Sequence, residues 1–263
     1  MRIRSWSLAI ALSLLVVPTP SQAKRVDAEA QKLLASAGTV AKKVAKLRGL
    51  AIKRTIKRGV MNKKQLKERL LKRVDQEYSP GEIAAEELLL KRFGLLAENA
   101  DYLKIVIGLL TEQIAGFYDP WERQLYLANF QMIGGEVLMA HEIDHALQDQ
   151  HFNLRKFMGK GRHNNDATVA RQALVEGDGM AVMIEFMLAG LGQSAPWGND
   201  AVIKAISSQM SGASGLGNFD KAPLFLKEGL VFPYLAGLGF VAHFRKNHPW
   251  GRINRIYTVS YTH

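Results

Sequence analysis

The chain has 263 residues, enough for one domain whose core needs no covalent staples. It contains no cysteine, which excludes disulfides, iron–sulfur clusters and thiolate metal sites. The formal net charge of +11 is unevenly spread: residues 24–80 carry 17 Lys/Arg against 5 Asp/Glu, whereas residues 81–263 carry 16 against 19.

Arg2 and Arg4 precede the apolar run SLAIALSLLVV, then Pro-Thr-Pro and Ser21-Gln22-Ala23, a small-x-small cleavage signature. This order is that of a secretory signal peptide over residues 1–23, so the mature chain is expected to be exported and soluble. The run is shorter than the ~20 residues of a bilayer span, and no later stretch reads as long and apolar enough for one. Residues 24–80 form a basic, helical N-terminal region. Its charge is read as the solvated faces of basic helices, with a patch for anionic membrane or cell wall as the alternative. Nucleic acid is disfavoured, because no aromatics interleave the basic residues to stack bases.

Residues 26–47 are helix-friendly, and RGLAIKRTIKRGV then alternates apolar and basic residues, with Ile52, Ile56 and Val60 on the face of a strand. Asn62 caps a helix running through KKQLKERLLKRVDQEY. Ser79-Pro80, with Glu82 in the first turn, starts another that ends at Gly94. AENADYLKIVIGLLTEQIA reads as a further helix. Two aromatic-rich runs, 115–118 and 123–128, flank Asp119-Pro120-Trp121-Glu122 and predict a β-hairpin, with proline suited to the second turn position. Gly134-Gly135 breaks the chain before a helix carrying HEIDHALQDQHF, residues 141–152. Residues 152–165 read as loop, and Asp166 as the cap of a long helix containing VEGDG. A Gly/Ser/Pro-rich stretch with a helix at 199–210 leads to Pro223; residues 224–246 form one or two helices interrupted near Pro233, and HPWGRINRIY starts the last. The fold class is α+β, predominantly helical, with residues 81–263 as the core and a small hairpin beside the motif helix.

Residues four apart on a helix lie about 40° apart around its axis, so His141 and His145 can share one ion. Glu142 lies about 100° from His141, poorly placed as a third ligand and well placed to deprotonate a water at a zinc ion. These residue types at this spacing serve attack of water on a polarised carbonyl. The third ligand has two candidates. His151 follows His145 by six residues, but Gln148 stands where a helix-ending glycine would turn it back; a continuing helix carries it about 240° away. Glu176 follows His145 by 31 residues on a second helix, among Gly177 and Gly179. Mid-helix glycines cost about 1 kcal/mol each relative to alanine, and close approach of two helices is one reason to accept them. Glu176 is favoured.

His-Glu-x-x-His followed some thirty residues later by glutamate resembles the gluzincin zinc metallopeptidases, the thermolysin-type clan. More narrowly, GFYDP…LYL, HEIDHALQDQHF, ALVEGD and FPYLAGLGFV are similar to a family of exported bacterial metallopeptidases, over about residues 45–250. The resemblance implies a zincin-like core, one zinc on His141, His145 and Glu176, Glu142 as base and proton shuttle, and a peptide substrate added as a strand along residues 123–128. An oxyanion donor is also needed; Tyr234 is the first candidate and His243 the next. The slot before the second histidine, usually threonine or another uncharged residue, holds Asp144, either orienting a ligand or facing solvent. Asp178 lies about 200° from Glu176 and so has a weaker claim to the site; Tyr118 reads as packing. Chains of that family continue beyond the last helix, whereas this sequence ends RIYTVSYTH. A second reading is a catalytically impaired zinc-binding or envelope-associated module that uses the basic face.

Overall fold

The computed structural model describes residues 20–130, 135–159, 164–211 and 218–258. The apolar run of the predicted leader lies outside them. The chain begins with helix α1 (Pro20–Arg48), followed by strand β1 (Lys57–Met61), α2 (Lys63–Glu77), α3 (Pro80–Arg92) and α4 (Tyr102–Gln113). The local signals work as physics requires. Asn62 and Gln65 form a reciprocal capping box at α2, Ser79 and Glu82 do the same at α3, and Gly94 follows α3 with φ +70°.

Strands β2 (Gly116–Asp119) and β3 (Gln124–Ala128) form the hairpin. Its turn is built by Asp119, whose Oδ1 accepts from the amides of Trp121 and Glu122. Oδ2 accepts from Arg69 at 2.6 Å and Arg73 at 3.2 Å, both on α2. Part of the basic charge of the N-terminal region is therefore paired internally. Strand β1 adds parallel to β3, Lys57 opposite Gln124 through Met61 opposite Ala128, giving the order β1-β3-β2. This corrects one expectation. Residues 124–128 are the central strand, bonded on both sides, so no peptide can add to them; the free edges belong to β1 and β2.

The motif helix α5 (Gly135–Phe152) is followed by a short helix α6 (Leu154–Gly159) where a loop was expected. Asn153, at φ +55°, separates the two, and its side chain accepts from the Lys156 amide. Helix α7 (Asn165–Gly190) is capped by Asn164, not by Asp166: Asn164 Oδ1 accepts from the Ala167 amide. Then come α8 (Asp200–Ser211), α9 (Asn218–Lys221), α10 (Leu224–Arg245) and α11 (Trp250–Thr258). Helix α10 is continuous through Pro233; Gly229, whose carbonyl loses its partner there, is exposed and can be solvated.

Helix α7 packs against α5, α10, α1 and α6, while α5 packs against α1, α7 and the sheet. Leucines and valines of α1 and Met61 of β1 share one apolar core with α5, α7, α10 and α11. Gly177 and Gly237 bring the backbones of α7 and α10 together: a Cβ on Gly177 would stand 2.0 Å from the Gly237 carbonyl carbon. Helix α10 also corrects the reading of the later sequence. It has 22 residues, and an 18-residue window within it reaches a mean hydropathy of 1.4, enough by length and composition to cross a membrane. One face, with Tyr234, Gly237, Leu238 and Val241, lies in the core, whereas Phe232 and Phe240 are exposed.

Candidate metal centre

From Leu138 to Asp149 every residue of α5 is buried, and so is every residue of α7 from Leu174 to Val182. Enclosed helices are ordinarily apolar all round. These carry two histidines and five carboxylates, whose polar atoms must find partners or remain at a cost.

His141, His145 and Glu176 converge, with one potential ligand atom of each within 4.8 Å of the others. The two Nε2 atoms are 2.9 Å apart, and Glu176 Oε2 lies 3.3 Å from one and 3.5 Å from the other. A tetrahedral ion with bonds of ~2.0–2.1 Å separates its ligand atoms by ~3.3–3.4 Å, so the trio has the dimensions of such a site. Glu176 Oε2 has no hydrogen-bond partner of normal geometry, which fits a donor set arranged for an ion. The three residues could hold a metal ion. Gly179 allows the approach: a Cβ there would lie 2.8 Å from the His141 ring and 3.2 Å from that of His145. The two glycines of VEGDG thus have separate tasks, Gly177 facing α10 and Gly179 facing the imidazoles.

Behind His145 runs a polar chain. Its Nδ1 donates to Gln148 Oε1 at 3.1 Å, leaving Nε2 free to act as ligand. The amide orientation follows from its other end, where Gln148 Nε2 donates to the Val175 carbonyl at 3.2 Å and to Asp144 Oδ2 at 2.6 Å. Asp144 is buried, not solvent-facing, and acts on His145 through this amide. Beyond it lies Arg48, the last residue of α1 and wholly buried. Its Nε and Nη2 each donate to Asp178 at 2.7 Å, it stands 3.9 Å from Asp144, and it rests on the Trp250 ring at 4.2 Å. Tyr257 completes the set by donating to Asp178 Oδ2 at 2.9 Å. Gln148 and Arg48 both escape sequence reasoning. The i, i+3 spacing from His145 could have pointed to the first; nothing local points to Arg48.

The electrostatics follow from burial. For Arg48 burial opposes the charge, but the charge of Asp178 and its hydrogen bond outweigh it, and the guanidinium stays protonated. Burial and the charge of Asp178 raise the Asp144 carboxyl well above its ordinary range. Burial also lowers His141, helped by the neighbouring His145. For His145 burial is overridden by the adjacent Glu176 carboxylate, and the imidazolium is held up to about 10. Glu142 differs from all of these. Neither of its oxygens has a hydrogen-bond partner, and burial pushes its carboxyl up to about 8. The charge of His145 opposes this rise, and the Tyr118 backbone amide favours the ionised form only weakly. Strand β2 lies close by, since a Cβ on Gly116 would stand 3.6 Å from Glu142 Cγ.

The remaining candidates separate clearly. The ring of Tyr234 stacks on that of His141 with centroids 6.2 Å apart. His243 is exposed and outside the cluster. His151 is not a ligand: α5 continues through Gln148 to Phe152, and His151 Nε2 donates to the Ala51 carbonyl at 2.7 Å. Its neighbour Gln150 accepts from the amides of Lys53 and Arg54 and donates to the Arg54 carbonyl, so the end of α5 clamps the segment after α1. Tyr118 donates to Asp149 Oδ2 at 2.9 Å. No family model, curated protein or solved structure matches the chain.

Proposed function

We propose that the protein is an exported zinc-dependent metallopeptidase of gluzincin type, with a zincin-like core. One observation carries the reading: beside a trio of ligand-like atoms, Glu142 lies buried with both oxygens unpartnered. A carboxylate that merely stabilised the fold would be expected to accept hydrogen bonds.

His141, His145 and Glu176 would hold the ion, with His145 aligned by Gln148. Zinc bound there supplies Lewis acidity, polarising a carbonyl and drawing the pKa of water down towards neutrality. Glu142 takes the proton of the attacking water and returns it to the leaving amine. A carboxyl raised to about 8 by burial is suited to both tasks near neutral pH, and a nearby cation favours its ionised form. The developing oxyanion needs a donor, for which Tyr234 is the candidate, being the aromatic stacked on His141. Export rests on the leader-like sequence of residues 1–23.

The test compares cleavage of casein and of a broad peptide library by zinc-loaded wild type and Glu142→Gln. Cleavage should fall by about 10²–10⁴-fold in the variant, the range for loss of a general base, with zinc content retained. Wild type that binds zinc yet cuts nothing would leave the binding-module reading instead.

A further inference from the structure

A cavity of about 690 Å³ lies between the hairpin turn, the end of α5, α6 and the first half of α7, and Glu176 is part of its wall. Four cations also line it: Arg54, Arg123, Arg155 and Lys156. Its acidic residues do not balance them. Glu176 belongs to the metal trio, and Asp149 is engaged by the Tyr118 hydroxyl at 2.9 Å and the Leu154 amide at 3.0 Å, with Arg54 3.9 Å away. Only Glu77 remains. Among the described residues, neither Arg123 nor Lys156 forms an ion pair.

These cations are held in place by the fold. Gln150 brackets the backbone of Arg54, so the clamp at the end of α5 delivers that side chain to the cleft. Arg155 lies over the Trp121 ring at 5.8 Å. Arg123 occupies left-handed backbone, φ +54°, where glycine would sit without strain. The charges of Arg54 and Arg123 both act on the buried Tyr118 hydroxyl, so they converge on one wall.

We infer that this cleft selects peptide segments carrying a carboxylate near the bond to be cut, either an acidic side chain or the α-carboxylate of a chain end. The inference rests on the peptidase reading for its site and adds the substrate class. Exposed cations around a mouth act mainly by attraction that salt screens, so the preference should weaken as ionic strength rises.

The test is binding of labelled peptides of one length to zinc-loaded Glu142→Gln protein, followed by fluorescence anisotropy. The peptides are a Glu-containing amide, its Gln counterpart as amide and as free acid, and its Lys counterpart. The Glu amide should bind about tenfold more tightly than the Gln amide, as two or three partly exposed charge contacts would give, and the Lys amide most weakly. A gain for the Gln free acid over its amide would make the chain end a source of the carboxylate; no gain would leave the side chain alone. Arg123→Gly with Lys156→Gln should close the gap. Glycine accepts the φ at 123, so the thermal midpoint should hold. Equal binding of acidic, neutral and basic peptides, or a gap that survives both substitutions, overturns the inference. Wild-type cleavage of the same peptides is scored separately, so charge-selective binding without cleavage counts against the peptidase reading alone.

Discussion

The motif helices α5 and α7 each carry Glu-x-Asp: Glu142 and Asp144 on one, Glu176 and Asp178 on the other. Two helical steps turn a side chain through about 200°, so each helix presents its glutamate to the ligand trio and its aspartate to the opposite side. All four carboxylates are buried, yet they have opposite fates. At the rear, Asp178 takes two hydrogen bonds from Arg48 and one from Tyr257, and Asp144 takes one from Gln148 on Oδ2, while its Oδ1 accepts none and has the Arg48 guanidinium 3.9 Å away. At the front, Glu142 has none, and Glu176 directs a partnerless oxygen between two imidazoles. Burial alone therefore does not identify a functional carboxylate. The difference lies in compensation: the rear pair shares the Arg48 guanidinium, whereas Glu142 has, among the described residues, neither a hydrogen bond nor a fixed Arg or Lys beside it.

Five substitutions would break or sharpen this contrast, beginning with the largest effect. Glu176→Ala should empty the site, with bound zinc after dialysis falling towards zero, while His151→Ala should retain it; the reverse pattern would transfer the third ligand to His151. Arg48→Met strands two buried carboxylates and should cost about 3–5 kcal/mol of stability in urea unfolding. If it costs nothing, the rear pair is not a structural unit. Gln148→Ala releases His145 Nδ1 and should weaken zinc binding about 10–100-fold in a chelator competition, with little change in the rear pair. The smallest effect concerns pH. Glu142 rises from 4.5 to about 8 on folding, so across that interval the folded chelator-treated protein keeps a proton that the unfolded chain has lost. That contribution is full below about 4.5 and disappears as pH climbs through 8. Urea midpoints of chelator-treated Glu142→Gln should fall less steeply over this window than those of wild type. The fall that remains belongs to Asp144, held well above its ordinary range, and above 6.5 also to His145, whose folded value reaches about 10.

What could be read from the sequence was what neighbouring residues decide. The caps at Asn62 and Ser79, the hairpin around Asp119-Pro120 and the pairing of His141 with His145 depend on residues within a turn of one another. Glu176 is reachable because Gly177 and Gly179 next to it signal close approach of two helices. The parallel pairing of β1 with β3 was not reachable, because an alternating strand pattern does not name its partner. Helix α10 passed unnoticed as a long apolar helix because Pro233 suggested a break, while an exposed Gly229 made that break unnecessary. Arg48 stood in a run of basic residues that looked solvated, and only the packing of α1 onto α5 and α7 draws it inside.

The contact at Asp178 also bears on the order of folding. Arg48 comes from 130 residues upstream and Tyr257 from 79 downstream, so the rear of the centre joins the two ends of the described chain. Helices can form locally and early, but closures of this span come late and slow the search. Until both ends dock, Asp178 has neither partner. Small zinc-folded domains use the ion to begin folding. In this protein the ion should arrive last, and acquisition of tight metal binding during refolding should coincide with the slowest phase.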